Sequence, residues 1–128
     1  NTTTDFQKQQ IMECYERLRK FVSDMDIEDE NVYYDIRNMI EVKKIALPTA
    51  VYKAMMNFMD QVVEPYVFED TTEIFSEEEA KRNEKGIVEI KSEQAFQKLM
   101  VRFMEKLSEL DAKIETFAES ELKPYLER

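Results

Sequence analysis

The stretch IALPTAVYKAMMNFMDQVVEPYVFE, residues Ile45–Glu69, is the most apolar part of the chain, and its reading decides the fold. Val51, Tyr52, Met55, Met56, Phe58, Met59, Val62 and Val63 fall at helical spacing, while Thr49, Lys53, Asn57, Asp60, Gln61 and Glu64 form a polar side. A membrane-spanning helix needs about 20 apolar residues with few charges, and Lys53 and Asp60 interrupt this one. The segment is therefore predicted as an amphipathic core helix from Pro48 to about Glu64. Pro48 suits a first helical position, where a missing N–H costs nothing, and Pro65 is expected to end the element.

Upstream, residues from Glu30 to about Ala46 make a second helix, with Val32, Tyr33, Ile36, Met39, Ile40 and Val42 as its apolar positions. Lys43 and Lys44 suit its last turn. Pro48 forces Leu47 toward an extended conformation, so this helix stops by Ala46. The joint at Leu47–Pro48 allows either a hairpin or a broken rod lying along the last helix. Without a glycine or asparagine to turn the chain tightly, the broken rod is the expectation.

The first helix starts at a capping box, Thr4 with Gln7, and carries Ile11, Tyr15, Leu18, Val22 and Met25 as one stripe, widened by Phe6 and Phe21. The acidic connector SDMDIEDEN follows. It resembles the start of a calcium loop only loosely, because the required glycine is missing at Asp29 and Asp35 stands where a bidentate Glu is needed. It is read as an acidic cap on the second helix.

Between Pro65 and Lys91, apolar clusters alternate with charge runs. Ser76 and Glu79 make another capping box, Glu77–Lys81 and Glu78–Arg82 are favourable pairs, and Gly86 is placed to stop an element. A short crossover helix from Ser76 to Lys85 is expected, followed by a brief strand in Ile87–Lys91. In the last helix, capped by Ser92, Phe96, Met100, Phe103, Leu107, Leu110, Ile114 and Phe117 repeat at alternating spacings of about four and three, a coiled-coil-like seam. Pro124 ends or kinks it near Lys123. At 1.5 Å per residue this helix would span roughly 48 Å, and the second and third roughly 25 Å each.

The expected fold is an all-α antiparallel bundle: four main helices, the second and third separated by the Leu-Pro break, plus the short crossover helix, in a single domain over residues 1–128. With 128 residues, one glycine and abundant Glu, Lys, Met and Leu, the chain fits one helical core better than any β fold.

Composition also bounds function. The net charge of −10, from 28 acidic and 18 basic residues, disfavours nucleic acid and anionic membrane surfaces. There is no histidine, which removes most zinc, haem and His-based acid–base chemistry. The single cysteine, Cys14, forms no internal disulfide framework and reads as a small buried thiol, not a nucleophile. No glycine-rich phosphate loop is present. No catalytic residue, cofactor or metal site is assigned. The methionines Met55, Met56, Met59, Met100 and Met104 read as core filling. The aromatic residues Tyr33, Tyr34, Tyr66, Phe68 and Phe75 are the candidate interaction surface, since adjacent Tyr33 and Tyr34 cannot both face one core.

The expected role is a non-enzymatic protein-interaction or regulatory module, with a protein partner, no nucleic acid and no membrane insertion by this segment. A homo-oligomer through the last seam is allowed. The alternatives are a small-ligand sensor, with Arg37, Asn38 or Asn57 turned into a Met- and Tyr-lined cavity, and an acidic inhibitor or nucleic-acid mimic. The start at Asn1 instead of Met points to a removed upstream segment, so the chain reads equally as the soluble part of a larger or membrane-anchored protein. Localisation stays open, with the cytoplasm as first expectation.

Overall fold

The structure is a computed structural model and describes residues 2–127. Helices account for most of these residues, and the fold is all-α with one two-stranded antiparallel sheet. The chain divides into two compact units. One runs to Phe68 and resumes at Leu107, and the other is Glu69–Lys106.

The first unit is a four-helix bundle. Helix α1, Asp5–Ser23, starts at the expected capping box: the Thr4 hydroxyl accepts the Gln7 N–H, and the Gln7 side chain accepts the Thr4 N–H. Its buried stripe is Ile11, Cys14, Leu18 and Phe21. Tyr15 and Val22 lie at the boundary, and Phe6 and Met25 are exposed. The core face thus sits about one residue to the side of the expected stripe. Asp29 caps helix α2, Glu30–Val42, by accepting the N–H groups of Asn31 and Val32.

A 3₁₀ turn, Lys43–Ala46, and two extended residues, Leu47 and Pro48, then reverse the chain into helix α3, Thr49–Phe58. The joint is a hairpin, not the broken rod expected. Tyr33 of α2 reaches Met59, and Arg37 reaches Asp60, which places the two helices antiparallel side by side. No glycine is needed, because tightening to 3₁₀ followed by two β-like residues makes the turn with negative φ throughout. Pro48 occupies the cap position just before α3.

Pro65 does not end the third helix. A π-turn, Met59–Val63, follows α3, and the helix continues as α4, Glu64–Val67, with Pro65 in its first turn. Proline lacks the N–H and its ring collides with the carbonyl of an ordinary α-turn, and the wider π-turn relieves both problems. The last helix repeats the device: α5, Glu93–Phe117, passes through a π-turn at Ala118–Leu122 into α6, Lys123–Leu126, with Pro124 in its first turn. Phe58 and Phe117, each just before its π-turn, stack at a ring-centroid separation of 4.3 Å.

Every helix in this unit runs antiparallel to its neighbours. Lys43 bonds Gln10 and Glu13 between α2 and α1, at 2.5 and 2.7 Å. Tyr15 donates to Glu115 at 2.6 Å, and Arg19 pairs with both Glu115 and Asp111, joining α1 to α5. The Arg19 pairs are exposed and worth little individually. The stability comes from the core, where Ile11, Leu18, Phe21, Ile36, Ile40, Val51, Met55, Met59, Leu110 and Ile114 are almost fully buried, each contributing about 1.5–3 kcal/mol of apolar transfer.

In the second unit, a 3₁₀ turn at Thr71–Ile74 is capped by Asp70. The expected Ser76–Lys85 helix is absent. Glu79 does accept the Ser76 N–H and hydroxyl, but only one turn forms before strand β1, Ala80–Arg82, pairs with β2, Val88–Ile90. Asn83 and Gly86 set the turn between them. The Asn83 side chain accepts the N–H groups of Lys85 and Ile87, and Gly86 takes a φ of +79° that suits glycine. Arg82 therefore bonds the Gly86 carbonyl and Asp70 instead of Glu78. Ser92 caps α5 through the Ala95 N–H, as expected.

Candidate interaction surfaces

Of the five aromatic residues singled out in the sequence, the structure brings three together. Tyr33 and Tyr34 are successive on α2 and so point about 100° apart. Tyr33 turns inward, 2% exposed, and its hydroxyl donates to the Met59 carbonyl at 3.3 Å. Burial pushes its phenol up to about 12, with the Glu64 and Asp60 carboxylates adding to the shift. Tyr34, 50% exposed, and Phe68, 38% exposed, meet Tyr33 edge-on at 5.3 and 5.6 Å, and each other at 6.0 Å. Two exposed rings thus rest on one buried ring. Tyr66 is not part of this surface: it is buried, and the Lys113 ammonium lies 4.9 Å from its ring centre. Phe75 is half-buried and belongs to the second unit.

A further group of exposed apolar side chains lies on the first half of α5. Here Phe96, Met100, Val101 and Met104 are all exposed, all but Met100 by more than half. Met100 and Met104 are thus surface residues and not core filling, whereas Met55 and Met59 are fully buried. The seam continues into the bundle, where Leu107, Leu110, Ile114 and Phe117 are buried. Heptad spacing marks one face along the whole helix and does not say which part of it finds a partner within the chain.

Within the second unit a different face of α5 is covered, and ion pairs do much of the covering. Arg102 grips Glu69 with both Nε and Nη2, at 2.9 and 2.5 Å. Lys106, 1% exposed, lies 3.8 Å from the same carboxylate. The hydrogen bond from Arg102 holds the Glu69 carboxyl below the usual range, with the charges of Lys106 and Arg102 assisting. Lys98 pairs with Glu79 at 2.7 Å, and Ala95 is completely buried. Beside the apolar stripe runs an open groove of about 380 Å³, lined by Ile74, Gln94, Gln97, Lys98, Val101, Arg102 and Glu105.

Arg37 turns toward Asp60 and Glu41, and Asn38 and Asn57 are exposed, so none of these three polar side chains enters the core. Cys14 is fully buried, and burial pushes its thiol up to about 11, which keeps it protonated at neutral pH. Among the described residues no helix is long and apolar enough to cross a membrane. Comparison with protein-family models, with curated proteins and with solved structures gives no match.

Proposed function

We propose that the chain is a protein-interaction module and that the first half of α5 is its docking face. The observation that supports this is the unbroken apolar stripe Phe96, Met100, Val101 and Met104, left in water at the end of a seam whose other half is core. Large exposed apolar side chains grouped on one face mark interaction sites more often than isolated ones do. Phe and Met also favour such surfaces, supplying contact area and adaptable packing. The partner this face suits is an amphipathic helix, which would complete the seam by laying its own apolar positions between Phe96, Met100 and Met104.

The pair Phe96→Ser and Met104→Ser tests the proposal. Each side chain is at the surface, so the variant should keep the wild-type circular dichroism spectrum and melting temperature. Association measured by sedimentation, with itself or with a candidate partner helix, should weaken by at least tenfold. Undiminished association by a folded variant would refute the assignment of this face. The acidic-mimic alternative draws no comparable support, because carboxylates of α1, α2 and α5 and of the hairpin unit are already paired with cations of this chain.

A further inference from the structure

Tyr34 and Phe68 form an exposed aromatic corner that the bundle holds in one position. Both rings lean edge-on against Tyr33, at 5.3 and 5.6 Å, and their own planes stand at 62° to each other. Tyr33 is itself fixed, being 2% exposed and bonded through its hydroxyl to the Met59 carbonyl. Tyr34 and Phe68 nevertheless remain 50% and 38% exposed. Rings set in place in this way lose little freedom on binding, and aromatic side chains are favoured at interfaces.

Each exposed ring has a carboxylate one helical turn before it. Glu30 precedes Tyr34 by four residues on α2, and Glu64 precedes Phe68 by four, with the Phe68 N–H bonding the Glu64 carbonyl. Side chains at this spacing share a face, their Cβ atoms about 5–6 Å apart. The Glu64 carboxylate is also close enough to Tyr33 to help raise its phenol. Both carboxylates are exposed, and neither makes an ion pair among the described residues. The cation on the same side of α2, Arg37, is committed to Asp60 and Glu41, at 3.0 Å each. The corner is thus aromatic at its centre and negative on two sides.

We propose that this corner docks an arginine carried by a basic segment of a partner protein. A guanidinium is flat and weakly hydrated, so it can lie on a ring face, drawn by the ring quadrupole, while its edge donates N–H bonds to a carboxylate. Glu30 beside Tyr34 and Glu64 beside Phe68 are the acceptors for those bonds. The compact ammonium of a lysine matches the charge but has no plane to stack, which makes it the poorer fit. An apolar helix, the occupant suited to the first half of α5, would strip water from both carboxylates without replacing it. The corner belongs to α2 and α4 and stands independently of that docking face.

A capped peptide of alternating alanine and arginine, titrated into the ¹⁵N-labelled full chain, tests the site. The expected result is a set of saturable shifts centred on the amides of Glu30, Tyr34, Glu64 and Phe68. Tyr34→Ser should weaken binding about threefold to fivefold, the worth of one exposed cation–π contact, and Tyr34→Phe should retain it. Glu30→Gln with Glu64→Gln should weaken binding about fivefold. Glu77→Gln with Glu78→Gln removes the same charge from exposed carboxylates of the other unit and should leave affinity within about twofold. These substitutions alter exposed side chains, and an unchanged circular dichroism spectrum checks each fold. Phe96→Ser with Met104→Ser should bind the peptide as the wild type does, whatever that variant shows for α5. Shifts spread evenly over the acidic surface, unchanged affinity in Tyr34→Ser, or equal losses from the two glutamine pairs would each overturn the proposal. Equal affinity for the lysine analogue of the peptide would overturn the assignment to arginine.

Discussion

Replacing Phe117 by alanine probes the centre of the bundle, where its ring stacks on Phe58 at 4.3 Å. Phe117 is 8% exposed and Phe58 5%, so nearly the whole ring leaves a packed environment. The lost transfer free energy of a buried Phe is about 1.5–3 kcal/mol. A residual void on the order of 80 Å³, at about 24 cal/mol per Å³, adds about 2 kcal/mol. The expected destabilisation is therefore about 3–5 kcal/mol, a large fraction of the ~5–15 kcal/mol available to a domain of this size. Urea unfolding followed at 222 nm gives the number. The double variant with Phe58→Ala isolates the ring–ring term, expected at about 0.5–1.5 kcal/mol. A loss below about 1 kcal/mol for Phe117→Ala would show that α3 and α5 do not pack through these rings.

Three further outcomes are expected. Because the Tyr33 phenol is raised to about 12 in the fold and lies near 10 when unfolded, the unfolded chain loses this proton first. Its stabilisation is complete below pH 10 and declines as pH rises toward 12, and thermal melts of Tyr33→Phe over this range should lack that component. The Glu69 carboxyl is depressed by Arg102 and Lys106, so its contribution is present above the ordinary carboxylate range and is lost as pH falls through the folded value. Glu69→Gln should cost about 1–3 kcal/mol and lower hydrogen-exchange protection at β1–β2, since the charged two-point bond between Arg102 and Glu69 is lost. Cys14 should react with a thiol reagent in the native state only at the rate of unfolding, and freely in denaturant.

Local chemistry was legible where one side chain governs a helix end. Thr4, Asp29 and Ser92 each mark the helix start that the structure shows. The hairpin of α2 and α3 was not legible, because a chain reversal without glycine leaves no residue signature at Leu47–Pro48. Between Ser76 and Lys85 helix propensity and ion-pair spacing agreed on the wrong element, and the decisive signal was Asn83-x-x-Gly86, a turn pattern between short apolar runs. Among the candidate surface residues, the inward turn of one of the Tyr33–Tyr34 pair followed from geometry alone. Tyr66 lies against Lys113, a residue distant in sequence, a contact no local pattern announces. A repeat was also there to be read: Phe58 precedes Glu64-Pro65-Tyr66-Val67 at the same interval as Phe117 precedes Lys123-Pro124-Tyr125-Leu126. That repeat is the signature of the twin π-turns.

Each π-turn amounts to one residue more than an α-helix would use, and that extra residue resets the angular phase of everything after it by about 100°. Counted at a plain α-helical increment, Val63 and Val67 would drift away from the face holding Val51, Met55 and Phe58. With the extra residue they return to it, and both are buried. Leu122 returns in the same way to the face of Leu110 and Ile114. Deleting one exposed residue, Gln61 or Ser120, would therefore turn the π-turn into an ordinary α-turn and leave every later residue on the face it now occupies. What it would remove is the widened turn, so that Pro65 or Pro124 would meet the carbonyl of an ordinary α-turn while Val63, Val67 or Leu122 still faced the core.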